Sequence, residues 1–183
     1  MPTLHHVALL TPDLAKAIVR GAELGLPAGP VETFPGEGTR ECYLGAPEAT
    51  ARLLLLEPLD VSGPYARALA RRGPGLHHIA INEPDLDRYL AGVRGWLLHP
   101  RSLETIARSA TAWLARPGVG CLLEVNESEP GDGPPAIERL EVPAPPELAG
   151  LLEATGASRS PDGSAWLTVA GRRVTVASLV EAE

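Results

Sequence analysis

A nearly repeated hexapeptide constrains the fold of this chain more than any other feature of its sequence. The segment Leu4-His5-His6-Val7-Ala8-Leu9 returns as Leu76-His77-His78-Ile79-Ala80-Ile81. Each copy is short and apolar and is followed by a Pro-Asp pair, which is typical of a strand that leads into a turn. Two copies of one strand predict two copies of the module around it.

The repeated strand has two different faces. Because side chains alternate along a strand, His6 shares a face with Ala8, and His78 shares a face with Ala80. Alanine leaves space beside an imidazole, so two such faces turned toward one cavity would bring two imidazoles together as metal ligands. The preceding histidines, His5 and His77, are expected on the opposite faces, packed against helices and outside the ligand set.

The order of apolar and turn segments predicts an α+β fold. Residues 1–61 and 74–127 each read as a β-α-β-β-β module, and a short helix over 65–72 connects them. We expect the two modules to form one open barrel over residues 1–127. Residues 128–135 have the composition of a linker, and residues 136–183 read as a third, partial β-α-β-β-β module without the histidines. A structural role fits this third module, such as packing against a second subunit.

Composition excludes several classes of function. The 183 residues carry a formal charge of −7 and no basic block, which argues against nucleic acid as a partner. No apolar run is long enough to span a bilayer, and the first residues do not resemble a secretion signal, so a cytoplasmic location is expected. Cys42 and Cys121 lie far apart in strand-like runs, which favours buried reduced thiols over a disulfide.

Glu124 interrupts an apolar strand in Cys121-Leu122-Leu123-Glu124-Val125. A buried carboxylate needs a cation, a proton or hydrogen-bond donors, whereas on an edge strand it could simply face water. Either histidine alone is more often a packed or surface residue. Together, the matching module positions of His6, His78 and Glu124 predict a metal site.

Two further residues are candidates for substrate binding. Tyr43, on a predicted strand, could donate a hydrogen bond into the pocket, or it could be a core tyrosine with its hydroxyl at the rim. His99 could act as a general acid or contact an anion, or it could lie in a surface loop.

Paired modules that each open with such a strand resemble the vicinal oxygen chelate superfamily, which includes glyoxalases, fosfomycin-resistance proteins, extradiol dioxygenases and methylmalonyl-CoA epimerases. The local similarity is to the epimerases, in the segments 56–59, 63–69 and 72–80. The resemblance covers residues 4–125 and leaves out the third module.

The resemblance implies metal positions at His6, Leu54, His78 and Glu124. Leucine cannot bind a metal, so two imidazoles and one carboxylate remain, as in the triad of extradiol dioxygenases and fosfomycin-resistance enzymes. The implied cofactor is one divalent ion among iron, manganese, cobalt, nickel and zinc. The resemblance places the catalytic base of the epimerases at Gly36, so Glu37, one residue away, is the predicted base beside Glu124.

Two functional hypotheses follow. In the first, the protein is a metal-dependent enzyme that performs isomerase, epimerase, lyase or dioxygenase chemistry on a small oxygen-bearing substrate. In the second, it keeps the fold without catalysis and binds or sequesters an organic ligand, which the substitutions at Leu54 and Gly36 favour. The barrel could close within one chain or by exchange between the two chains of a homodimer.

Overall fold

The computed structural model of the protein describes residues 2–129, 131–153 and 155–181. Within these residues the chain forms an eight-stranded sheet and a separate four-stranded sheet, with helices on both. The α+β class predicted from the sequence is confirmed.

The first module has the predicted order of one strand, one helix and three strands. Its helix is capped by Asp13, whose side chain accepts a hydrogen bond from the Lys16 amide, and not by Thr11. The Thr11 hydroxyl instead donates to the Val180 carbonyl. The elements are β1 (Thr3–Leu10), α1 (Leu14–Glu23), β2 (Ala28–Phe34), β3 (Thr39–Leu44) and β4 (Arg52–Pro58), followed by the connecting helix α2 (Pro64–Arg72).

The second module repeats this plan with one additional helix. The second strand of this module is only two residues long, and the additional helix follows it over residues 102–109. The elements are β5 (Gly75–Glu83), α3 (Leu86–Gly92), β6 (Leu97–Leu98), α4 (Ser102–Ser109), β7 (Thr111–Ala115) and β8 (Leu122–Glu127).

The two modules are related by an approximate two-fold symmetry in one continuous sheet. The strand order is β2-β3-β4-β1-β5-β8-β7-β6, with β1 and β5 antiparallel at the centre. Each central strand pairs in parallel with the last strand of its own module, β4 or β8. The end strands β2 and β6 do not pair with each other, so the sheet stays open, as predicted.

The third unit repeats the element order of the modules but not their strand order. The strands of its sheet lie in the order second, first, third and fourth, whereas the modules place the first strand beside the fourth. Its last strand ends at Thr175, whose hydroxyl caps a final helix. The elements are β9 (Arg139–Pro143), a 3-10 helix (Pro146–Leu148), α5 (Ala149–Glu153), β10 (Ala157–Ser160), β11 (Trp166–Val169), β12 (Arg172–Thr175) and α6 (Val176–Val180).

The third unit packs against its own chain. Helix α6 contacts α1 and the central strands β1 and β5, and Arg172 donates to the Glu23 carbonyl at 3.1 Å. Its buried apolar side chains join the same core as Val7 and Leu9 of β1; they are Ile137, Leu140, Val142, Leu152, Ala157, Leu167, Val169, Val176, Leu179 and Val180. These apolar side chains of the third unit are thus covered by the same chain.

Cys42 and Cys121 are both buried and free, as expected. In the part of the chain that the structure describes, no helix combines the length and the apolar character needed to cross a membrane.

Candidate metal centre

The three predicted metal ligands converge at one point inside the open barrel. The Nε2 atoms of His6 and His78 are 2.9 Å apart, and Glu124 Oε2 lies 3.3 Å from His78 Nε2. One donor atom from each residue lies within 4.8 Å of the other two. Both imidazoles are buried, each with 3% of its surface exposed, so these donors are held inside the protein.

The donor set fits a divalent ion. Two ligands about 2.1 Å from an ion and at right angles are about 3.0 Å apart, close to the distances found here. Burial first, and then neighbouring charges, hold the pKa values of His6 and His78 well below 6.5, so both imidazoles are neutral and have a free lone pair. Burial raises the pKa of Glu124 to about 7, despite a hydrogen bond from Asn126. A nearby cation would favour its ionised form.

A β-bulge in each central strand changes the place of the other two histidines. In the pairing of β1 with β5, His5 is an extra residue in one strand and His77 in the other. The ring atoms Nδ1 of His5 and His6 are 2.8 Å apart, and those of His77 and His78 are 2.9 Å apart. The expectation that His5 and His77 face away from the ligands is therefore wrong, although His77 also stacks on Tyr65 of α2.

These contacts prepare the ligands. A metal-bound imidazole usually engages its second ring nitrogen in a hydrogen bond, which fixes the tautomer and the ring orientation. Here His5 and His77 contact Nδ1 of the two ligand rings, which leaves each Nε2 free for an ion.

The fourth position is apolar. Glu124 pairs with Ala80 in the second module, and the equivalent partner of Ala8 in the first module is Leu54. Leu54 is buried in a small cluster of apolar side chains that includes Leu10 and Leu56. The symmetry of the fold thus places three donors and one leucine around the site.

A cavity of about 200 Å³ opens beside the three donors. Tyr43 and Glu37, two of the predicted site residues, contribute to its walls, whereas His99 does not and instead accepts a hydrogen bond from the Arg101 amide. Both modules line the cavity, through His6, Glu37, Glu41, Tyr43, Leu54, Leu56, Tyr65, His78, Arg101, Thr105, Ser109, Thr111, Trp113 and Glu124. A larger cavity of about 360 Å³ lies between the third unit and the segment 72–77, and it contains none of the three donors.

Glu41 is a site residue that the sequence reasoning missed. Its side chain lines the cavity, accepts a hydrogen bond from the Thr39 hydroxyl at 2.6 Å, and has its pKa raised, chiefly by burial. Because Glu41 lies two residues before Tyr43 on β3, the two share a face. The prediction that Tyr43 points into the pocket could therefore have identified Glu41 as well.

Arg101 is a second residue of the cavity wall that was not predicted from the sequence. Its guanidinium forms an ion pair with Glu37, with 3.0 Å between Nη2 and Oε2, and donates to the Tyr65 hydroxyl at 3.2 Å. The contact joins the two modules across the opening of the cavity, with Glu37 held at the mouth.

Comparison with known proteins gives the family. Residues 5–95 match the family model described as the glyoxalase/bleomycin resistance protein/dioxygenase superfamily. The paired modules have the fold of this superfamily, which is also called the vicinal oxygen chelate superfamily. No curated protein sequence matches the chain significantly.

Solved structures with this superfamily fold cover about 70% of this chain. A hypothetical protein from Bacillus halodurans is 24% identical, with a TM-score of 0.58 over 70% of this chain and 96% of that protein. Methylmalonyl-CoA epimerase from Mycobacterium tuberculosis is 27% identical, with a TM-score of 0.51 over 70% of this chain and 89% of the epimerase. A variant of the Streptomyces coelicolor epimerase, in complex with 2-nitronate-propionyl-CoA, is 25% identical, with a TM-score of 0.51 over 69% of this chain and 98% of that one.

Proposed function

We propose that this protein is a divalent-metal-dependent enzyme of the vicinal oxygen chelate type, which moves a proton next to a carbonyl group of a small oxygen-bearing substrate. The observation that carries the proposal is the convergence of His6, His78 and Glu124 on one point at the wall of a cavity. A protein that only binds an organic ligand has no need to bury three metal-competent donors together, since each buried polar group carries a desolvation cost.

The ion is iron, manganese, cobalt, nickel or zinc, and when bound it supplies Lewis acidity to substrate oxygens. The side chains of the protein hold the ion, line the cavity and transfer the proton. His6, His78 and Glu124 hold the ion, and the Leu54 and Trp113 side chains keep one part of the cavity apolar. Glu41 accepts the substrate proton and returns it, because burial raises the pKa of this carboxyl and so makes it a stronger base than an exposed carboxylate.

Glu37, the base predicted from the sequence, also lines the cavity but is more exposed than Glu41. It lies at the mouth of the cavity in an ion pair with Arg101, and its side chain is 45% exposed. Glu41, on β3, is less exposed than Glu37. We therefore assign proton transfer to Glu41. Glu37 is the competing candidate, and the experiment below distinguishes the two.

Epimerisation is the first reaction to test, because methylmalonyl-CoA epimerases are among the solved structures with this fold. Methylmalonyl-CoA is accordingly the first substrate. Lyase and dioxygenase chemistry stay alternatives within the enzyme hypothesis, and the dioxygenase version requires iron and uptake of oxygen.

The second candidate function is non-catalytic binding of an organic ligand, and Leu54 favours it. An apolar side chain at the symmetric ligand position gives one fewer donor than a four-ligand site. A cytoplasmic location and a homodimer also stay predictions, and sedimentation of the purified protein measures the latter.

Elemental analysis of protein purified without a histidine tag tests the metal site. We expect about one divalent ion per chain in the wild type, loss of the ion from His6→Ala and Glu124→Ala, and retention in His99→Ala, since His99 lies outside the cavity wall. Absence of metal after incubation with all five ions would contradict the enzyme hypothesis and leave the ligand-binding one.

Exchange of the substrate proton with D2O, followed by NMR on methylmalonyl-CoA, tests the base. Removal of a general base typically costs about 10²- to 10⁴-fold in rate. We expect such a loss in Glu41→Gln and a much smaller one in Glu37→Gln, both with full metal content. The reverse order would return the role to Glu37, and no exchange by the metal-loaded wild type would favour other chemistry.

A further inference from the structure

Arg101 is the one cation among the described residues that line the cavity. The other charged groups of the wall are the carboxylates Glu37, Glu41 and Glu124, and the two histidines are neutral. The Arg101 guanidinium lies 4.9 Å from the centre of the Trp113 ring, and the same ring contacts His78 edge to face at 5.0 Å. Trp113 therefore separates Arg101 from the metal site within one continuous wall.

The backbone around Arg101 is firmly anchored. The fully buried Ser102 hydroxyl exchanges two hydrogen bonds of 2.8 Å with the backbone of Trp113, and the His99 amide donates to the Trp113 carbonyl at 2.7 Å. The backbone that carries Arg101 is thus fixed before any ligand binds, which lowers the entropic cost of binding.

The partner of Arg101 is held much less firmly. Glu37 lies in the turn between β2 and β3, its side chain is 45% exposed, and it meets Arg101 from the other module. An ion pair with such an exposed partner contributes little stability. A substrate carboxylate of matching shape can therefore replace Glu37 on the guanidinium at small cost.

The size and lining of the cavity limit which ligands can carry that carboxylate to Arg101. About 200 Å³ is below the usual range for drug-sized ligands, and the wall is mainly polar. A guanidinium binds a carboxylate through two parallel hydrogen bonds, which fixes orientation as well as charge.

We propose that Arg101 binds a carboxylate of the substrate in exchange for Glu37, so that the part of the substrate inside the cavity has this carboxylate at one end and metal-binding oxygens at the other. This inference rests on the proposed function, since the metal site defines the second end. It makes Arg101 a specificity-determining residue, and Glu37 the group that occupies its place in the absence of substrate.

Malate and lactate are matched probes for this arrangement. Both present a hydroxyl next to a carboxylate, a pair of neighbouring oxygens that a metal ion can bind, and malate alone adds a second carboxylate. Calorimetry on the cobalt-loaded full chain measures the affinity for each. We expect malate to bind at least about tenfold more tightly than lactate, the usual size of a charge-assisted hydrogen bond.

Three variants separate recognition from structural support. In Arg101→Gln the ratio of malate affinity to lactate affinity should fall to near one, with cobalt content and lactate affinity unchanged. Arg101→Lys should keep part of the preference for malate. In Glu37→Gln malate should bind more tightly than to the wild type, because the competing carboxylate is gone.

The outcomes are distinguishable from failure of the proposed function. Full cobalt content with no malate preference in the wild type, or with the same preference in Arg101→Gln, overturns the role of Arg101 and leaves the metal site in place. Wild-type protein that takes up none of the five divalent ions overturns both.

Discussion

Four histidines from two bulged strands form a continuous chain of ring contacts. The rings of His5 and His6, of His6 and His78, and of His77 and His78 each approach through a pair of nitrogens less than 3 Å apart. Since both central strands use the same bulge, the two ligand histidines receive equivalent support from the residue before each. The outer pair therefore sets the orientation of the inner pair.

Removal of an outer histidine should weaken metal binding without removing a ligand. Replacement of a residue that supports a metal ligand typically costs about 10- to 100-fold in affinity. We expect losses of this order in His5→Phe and His77→Phe, measured by competition with a chromogenic chelator. His99→Phe is the matched control, and unchanged affinity in both outer variants would show that the inner rings need no such support.

Acidification should destabilise the metal-free protein through the same residues. Burial lowers the pKa of His77 to about 4, from 6.5 in the unfolded chain, so between these values the unfolded state binds more protons. This contribution to stability is complete above about pH 6.5 and is lost as the pH falls toward 4, by up to about 1.4 kcal/mol per pH unit.

The His77→Gln variant isolates that effect. Measured by urea unfolding with a chelator present, its free energy of unfolding should decline less steeply with falling pH than that of the wild type. Two parallel curves would mean that His77 is protonated equally in both states.

Among the structural elements, the strands of the two modules were predictable because the hexapeptide repeat marks both central strands. The alternation of side chains along those strands, together with the matching module positions, also predicts that His6, His78 and Glu124 converge. The bulges at His5 and His77 were not predictable, because a bulge depends on the register between partner strands and leaves the local apolar pattern unchanged.

Arg101 shows a second limit of the sequence. Its segment lacks strand alternation, and the position of its guanidinium depends on hydrogen bonds between Ser102 and Trp113, eleven residues apart. Glu41 was missed for a simpler reason, since the search for a base followed the resemblance to Gly36 instead of the face shared with Tyr43.

The symmetry of the modules predicts the effect of a fourth donor. Leu54→Gln places an amide oxygen opposite Glu124, so we expect tighter metal binding. The metal-free protein should lose about 1 to 3 kcal/mol of stability, because the amide is buried without a partner.

Leu56→Gln is the control, since Leu56 faces the same cavity from the same strand but lies outside the symmetric position. It should show a similar loss of stability and no gain in metal affinity, by chelator competition and thermal unfolding. Equal gains in both variants would contradict the assignment of Leu54 to the fourth position.

In the whole molecule, the third unit completes the core on the side of the sheet that faces away from the metal. Leu140 and Leu167, on neighbouring strands of the small sheet, are fully buried in the core that also contains Val7 and Leu9 of the central strand β1. The central strand thus has a polar function on one face and an apolar contact with the third unit on the other. Loss of that contact should disturb β1 and, through it, the position of the His6 ligand.

A chain that ends at residue 129 should therefore unfold at lower temperature and self-associate, because it exposes the apolar outer face of the sheet. In the full chain, Leu167→Ala should lower the free energy of unfolding by about 2 to 5 kcal/mol, as expected for a large-to-small change in a packed core. The exposed Arg172→Ala, which loses only its hydrogen bond to the Glu23 carbonyl, should stay within about 1 kcal/mol of the wild type. Thermal unfolding and light scattering measure both effects. The shortened chain could instead remain monomeric, unfold at the same temperature as the wild type and keep its metal. That result would show that the paired modules are stable without the third unit, and that this unit serves a purpose other than stability.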